Sequence, residues 1–130
     1  MELLDAIDAN DKDRVLQLIN ENIDLNYINN IGESSVYKAV KSPEILRILL
    51  NAGSNPNHGN IFGLTALHIS TNTEVIKILI KSGTDVNIQD CNYTIPIQWK
   101  HKQTDINILL NNNSFTDKNI TCKSSYYEIN

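Results

Sequence analysis

Four stretches of this chain repeat one another, and none of them is long enough to fold alone. They are KDRVLQLINENIDLN from Lys12, SPEILRILLNAGSNPN from Ser42, NTEVIKILIKSGTDVN from Asn72 and a degenerate QTDINILLNNNSFTD from Gln103. Each reads as a helical phrase followed by a turn phrase. Glu44 and Glu74, Gly53 and Gly83, and Asn57 and Asn87 are each 30 residues apart. A fixed period of that size is the mark of a stack, in which each unit buries its apolar face only against its neighbours. A globular core built from sequence-distant strands is not expected, and finding one would end this reading.

The phrases have a physical grammar. In TEVIKILI the apolar residues Val75, Ile76, Leu79 and Ile80 recur at helical spacing, which gives a one-sided helix. Ser42, Pro43 and Glu44 make a strong helix start: a hydroxyl cap, a proline whose missing N–H is not needed, and a carboxylate at the positive end. Gly53 and Gly83 follow the helices where the chain turns left-handed, and Asn22 and Asn113 stand in the equivalent places of the first and last units.

The segments preceding these helices also repeat: GESSVYKAV from Gly32, GLTALHIS from Gly63 and YTIPIQWK from Tyr93. GLTALH resembles the G-x-T-P-L-H phrase of the ankyrin repeat family, and EVIKILIKSGTDVN resembles its second helix and following loop. The resemblance covers residues 1–117. It implies an all-α solenoid of about four helix-turn-helix repeats with projecting hairpin loops. The expected repeats are about 1–31, 32–62, 63–92 and 93–117, with a C-terminal tail over 118–130. The family repeat is about 33 residues long, and the shortfall here can be located. Leu3 to Asp13 is ten steps, but Val36 to Glu44 is eight, and Leu67 to Glu74 and Ile97 to Thr104 are seven. First helices shortened in repeats 2–4 are therefore expected. Tyr93 replaces the repeat glycine and Asn107 interrupts the apolar stripe, so the fourth repeat reads as a divergent cap.

Composition narrows the function classes. With 130 residues there is room for one domain. Hydrophobic residues at 41%, charged residues at 20% and a net charge of −4 argue against disorder and against a phosphate-backbone partner. No apolar run approaches the roughly 20 residues of a membrane span, and the acidic start MELLDAIDANDKDR is unlike a secretory or transit signal. Two cysteines, Cys91 and Cys122, make no disulfide framework. A cytoplasmic protein with no nucleic-acid or membrane partner is expected. The 19 Asn and 19 Ile are A/T-rich codon choices and point to an A/T-rich genome, such as that of a virus, an intracellular bacterium or a protist.

No catalytic or metal-binding set is expected, and no cofactor. His58, His68 and His101 lie at no ligand spacing. The family resemblance gives Thr65 and His68 structural roles, the threonine capping the first helix and the imidazole tying the turn. His101 is expected to be solvated beside Lys100 and Lys102, and Cys91, next to Asp90, to be an unreactive half-exposed thiol. Three glycosylation sequons, at Asn92, Asn112 and Asn119, are chance matches in so asparagine-rich a chain. The ending Tyr127-Glu128-Ile129-Asn130 is a weak phosphotyrosine-ligand string.

The loops carry the functional expectation. The resemblance implies a concave binding face formed by first helices and hairpin tips, and it places Tyr27, Ile28, Ile31, His58, Ile61, Phe62, Leu64 and Trp99 on that face. Large apolar residues on an exposed tip mark a partner site. The competing expectation is that Ile61 or Phe62 folds back to fill the space left by a missing helical turn. The function expected is that of a non-catalytic, monomeric protein-binding module, a pathogen protein that sequesters or adapts a host factor in the host cytoplasm or nucleus. The alternatives are a binder like the four-repeat inhibitors of cyclin-dependent kinases and a self-associating structural protein.

Overall fold

The computed structural model describes residues 2–112, whose regular elements are all helices, with no strand among them. Helices α1 (Glu2–Asp8) and α2 (Lys12–Asn20) form the first pair. The second joins α3 (Ser35–Lys38), extended by a 3₁₀ turn over Ala39–Lys41, to α4 (Pro43–Asn51). Helices α5 (Ala66–Ile69) and α6 (Thr73–Lys81) form the third, and a 3₁₀ turn (Pro96–Trp99) with α7 (Gln103–Asn111) the fourth. Pairs stack in sequence order: α1 on α3, α3 on α5 and α5 on the last 3₁₀ turn form one row, and α2, α4, α6 and α7 the other.

The caps follow the sequence. Ser42 Oγ accepts from Ile45 N–H at 3.4 Å with Pro43 in the first turn, and Asn72 Oδ1 accepts from Glu74 N–H at 2.9 Å. Asn22 takes the left-handed conformation (φ 59°) alongside Gly53 and Gly83. Asn113 lies outside the described residues, as do Cys122, the Asn119 sequon and the tail from 118. Each pair contributes one layer to a continuous core. Leu3, Val15 and Leu18 are followed by Val36, Ile45, Leu46 and Leu49, then by Leu67, Val75, Ile76 and Leu79, and last by Ile95 and Leu109, all at most 1% exposed. Between layers that core supplies the adhesion, whereas the exposed pairs Lys12–Glu44 (3.3 Å) and Arg47–Glu74 (2.6 Å) on the outer row add little.

The first helices are short where the step count falls short: seven residues in α1, then four in α3 and in α5, and a four-residue 3₁₀ turn in the last pair. One expectation needs correcting. Asn107 does not interrupt the stripe of α7; it is exposed, at the register position of Lys77. The polar intruder is Asp105, only 2% exposed, at the register position of the buried Val75. Its Oδ1 accepts from the Thr73 hydroxyl at 2.7 Å, which is how a carboxylate is tolerated there.

Candidate functional site

Three loops project from the same side of the stack, and one device shapes all of them. Asn29 Oδ1 accepts from the N–H groups of Ile31 (3.1 Å) and Glu33 (2.9 Å). Asn60 Oδ1 does the same for Phe62 (2.9 Å) and Leu64 (3.1 Å), and Asp90 Oδ1 for Asn92 (2.8 Å) and Thr94 (2.9 Å). The amide or carboxylate turns inward, so the residues at the tip are forced outward. The hairpins are also joined to one another, with Ile61 N–H donating to the Ile31 carbonyl at 3.1 Å and Cys91 N–H to the Phe62 carbonyl at 2.8 Å.

That close approach explains the repeat glycine. Gly32 has φ +80°, and a Cβ on it would lie 2.8 Å from the Ile61 nitrogen of the following hairpin. Gly63 has φ +77°, and its Cβ would lie 3.0 Å from the Asp90 Cα. Tyr93 occupies the same place in the last hairpin and keeps the left-handed backbone, φ 65°. Among the described residues no later hairpin lies on it, so a Cβ fits, and the ring stands 73% exposed.

A second layer of asparagines joins the bases of the loops. Asn26 Oδ1 accepts from Asn55 N–H at 3.2 Å, and Asn57 Oδ1 from Asp85 N–H at 2.8 Å. Codon bias therefore does not account for all the asparagine: at positions 26, 29, 57 and 60 the amide makes hydrogen bonds that hold the loops in register.

Behind the tips is a buried polar cluster. His68, 1% exposed, receives the Thr65 N–H on Nδ1 at 3.1 Å, so the proton is on Nε2, which donates to the Thr94 carbonyl at 3.0 Å. Thr65 is the N-cap of α5, as expected, and its hydroxyl lies 3.0 Å from the same Nδ1. Burial pushes the imidazole below its ordinary 6.5, only partly offset by the Thr94 carbonyl and Asp90. The Thr94 hydroxyl donates to Asp90 Oδ2 and accepts from the Trp99 indole N–H at 3.0 Å. The Trp99 ring stands edge-on to His68, centroids 6.3 Å apart.

His101 is solvated as expected, while the lysine before it is buried. Lys100 is 8% exposed and donates to the carbonyls of Leu67 (2.6 Å), His68 (3.0 Å) and Ser70 (2.7 Å). It closes the end of the shortened α5, where a further turn would have used these acceptors. Burial pushes it down from 10.5 to about 8, against the pull of Asp105.

The missing turn in the second repeat is not filled from the tips. It leaves an open groove of about 460 Å³ between α1 and the α3 segment, with Ile7, Val40 and Ile69 among its lining and Tyr37 and Lys38 on its wall. Lys38 bridges Asp8 (3.0 Å) and Glu33 (3.7 Å), and its hydrogen bond to Asp8 raises its pKa. Burial likewise raises Tyr37.

Six of the eight candidate residues stand in solvent: Tyr27, Ile28, Ile31, Ile61, Phe62 and Trp99. Ile61 and Phe62, at 61% and 55% exposed, do not fold back. His58 and Leu64 are half-buried. Tyr93 belongs with the exposed set, and its place at the glycine position of an unstacked hairpin was the available signal. Cys91 is a free, exposed thiol. Among the described residues no group of three His, Cys, Asp or Glu side chains could hold a metal, and no helix is long and apolar enough to cross a membrane.

Stacked helix pairs with hydrogen-bonded hairpins on one side define a repeat solenoid whose surface features are on its loops. The chain belongs to the ankyrin repeat family: residues 3–90 match the family model described as ankyrin repeats (3 copies). It is also 30% identical over 109 residues to an ankyrin repeat protein of Acanthamoeba polyphaga mimivirus. That alignment covers 79% of this chain and 14% of the relative, so the chain spans a small part of that protein's length.

Proposed function

We propose that this chain is a non-catalytic module that binds another protein through its hairpin edge and the adjoining concave row of first helices. The observation that carries the reading is the set of large apolar side chains held outward on three hydrogen-bonded hairpins and the 3₁₀ turn after the last, from Tyr27 to Trp99. Tips fixed in advance lose little conformational entropy when they are covered. Ankyrin repeats generally serve as protein-interaction modules, which supports the same reading. Of the eight residues first placed on this face, the six exposed ones make the direct contacts, and His58 and Leu64 support the tips from within the loop.

The similarity to a mimivirus protein and the A/T-rich codon choices favour a viral source, and with it a host protein as the factor sequestered or adapted. The kinase-inhibitor alternative rests on the shortened first helix of the second repeat.

Affinity purification from host cells, with wild type beside an Ile61→Asp, Phe62→Asp variant, tests the proposal. The captured protein is then purified and titrated against both. Binding by wild type and loss of at least about a hundredfold in the variant is the expected result, with circular dichroism unchanged. Equal binding by both would remove the hairpin edge from the interface. A captured cyclin-dependent kinase would select the alternative.

A further inference from the structure

Charge is sorted unevenly over this molecule. Every Lys and Arg among the described residues lies in the helix pairs, and the three connecting loops, residues 21–34, 52–65 and 82–95, contain none. The same loops carry five carboxylates: Glu21, Asp24, Glu33, Asp85 and Asp90. Three are engaged locally, Glu21 by the Gln17 amide, Glu33 by Asn29 and Lys38, and Asp90 by its own hairpin. Asp24 and Asp85 stand exposed, and no cation among the described residues pairs with either.

Those two carboxylates are fixed in place. Asp24 Oδ1 accepts from Asn26 N–H at 2.9 Å, and Asp85 Oδ1 from Asn87 N–H at 3.0 Å. Asn55 fills the same place in the middle loop, its Oδ1 accepting from Asn57 N–H at 2.9 Å. With the bonds from Asn55 N–H to Asn26 and from Asp85 N–H to Asn57, an unbroken ladder runs from the first loop to the third. A carboxylate stands at each end of it and a neutral amide in the middle.

Aromatic rings share this side. Tyr27, Phe62 and Tyr93 are exposed on the loops, and Trp99 on the 3₁₀ turn after the last. Ring faces attract cations, guanidinium groups above all, and fixed carboxylates form charge-assisted hydrogen bonds with them. Both features call for positive charge, and the loops supply none of their own.

Taking the loop side as the binding surface, we propose that its partner presents a protein segment in which arginines flank large apolar side chains. The apolar side chains cover Ile61 and Phe62, while the guanidinium groups reach the aromatic rings and the carboxylates of Asp24 and Asp85. Covering the tips excludes water from the neighbouring charges, which strengthens pairs that are worth little in solvent. The unneutralised carboxylates also draw a cationic segment in and turn polyanions away.

Selection of short random peptides displayed on phage against the immobilised whole chain tests this. Enriched peptides are expected to carry Arg beside Trp, Leu or Phe. One is then synthesised and titrated against wild type, an Asp24→Asn, Asp85→Asn double variant and Phe62→Ala. The double variant is expected to weaken binding about tenfold at low salt and much less at high salt. Phe62→Ala is expected to weaken it about tenfold at both. Asn55 shows that asparagine keeps the turn, and circular dichroism verifies that all variants retain their helices.

Enriched peptides that are neutral or acidic, or a failure to enrich any, overturn the inference. So does a basic peptide that the double variant binds as wild type does at low salt, or one that Phe62→Ala leaves undisturbed. A host protein that wild type still captures and the Ile61→Asp, Phe62→Asp variant loses would then keep the loop side as a binding surface for a partner of other chemistry.

Discussion

The Nζ of Lys100 lies 2.6 Å from the carbonyl oxygen of Leu67, which belongs to a helix one full repeat earlier. With the bonds to His68 and Ser70, the ammonium replaces the helical turn that α5 lacks. The shortened repeat is thus closed by a cation supplied from its neighbour, and the last two units are coupled through polar contacts as well as core packing.

Lys100→Met is expected to lose about 2 to 4 kcal/mol in urea unfolding, because it leaves buried carbonyls without donors. The comparison also has a pH signature. The folded chain gives up the Lys100 proton near 8, while the unfolded chain keeps it to 10.5. Between those values the unfolded state binds more protons, so wild type should gain stability relative to the variant as pH rises. Equal slopes for the two would mean Lys100 titrates normally.

His68 gives the opposite end of the pH scale. Its folded pKa is held below 6.5 by burial, so its contribution is complete above that value and is lost as pH falls through the folded pKa. Thermal melts between pH 7 and 4.5 should show this loss, and His68→Gln should abolish much of it. Gln98 shows that glutamine can do part of the task, its Oε1 accepting from Ile95 N–H at 2.8 Å in the last repeat. His68→Ala should cost about 2 kcal/mol more than the glutamine variant.

Tyr93 and Gly63 should respond in opposite senses to exchange. Tyr93→Gly relieves a left-handed non-glycine residue and should gain about 1 kcal/mol. Gly63→Ala meets both a positive φ and the Asp90 backbone, and should lose about 2 kcal/mol or more. Chemical denaturation of the two variants settles the comparison.

Ser54 and Thr84 occupy equivalent places after the turn glycines, and their buried hydroxyls have no partner among the described residues. Ser54→Ala and Thr84→Val should each be stabilising, by about 1 kcal/mol. A loss on substitution would show that the hydroxyls are satisfied in solution.

The stack was legible because its determinants are periodic and local. Ser42 and Asn72 cap helices from the positions the pattern gives them, and Asn22 turns left-handed in the place of a glycine. The step count located the short helices because helical rise ties length to residue number. Exposure of Ile61 and Phe62 was legible as one of two outcomes, and the inward turn of Asn60 decided it. Lys100 was not legible: its acceptors are 30 or more residues away, and a lysine among WKHK looks like a solvated one. Asp105 was legible only by strict register with the buried Val75, a comparison that also places Asn107 with Lys77 on the exposed face. The asparagines at 26 and 57 were hidden by abundance, since composition cannot separate a codon habit from a hydrogen-bonding role.

Gly32 and Gly63 leave the space that the next rung of the ladder occupies, and the aromatic ring at 93 takes that space away. A further loop laid down in the same geometry would bring its backbone against that Cβ. Lengthening the array there by duplicating a unit would first require residue 93 to become glycine, so a single position limits how far this series can be extended.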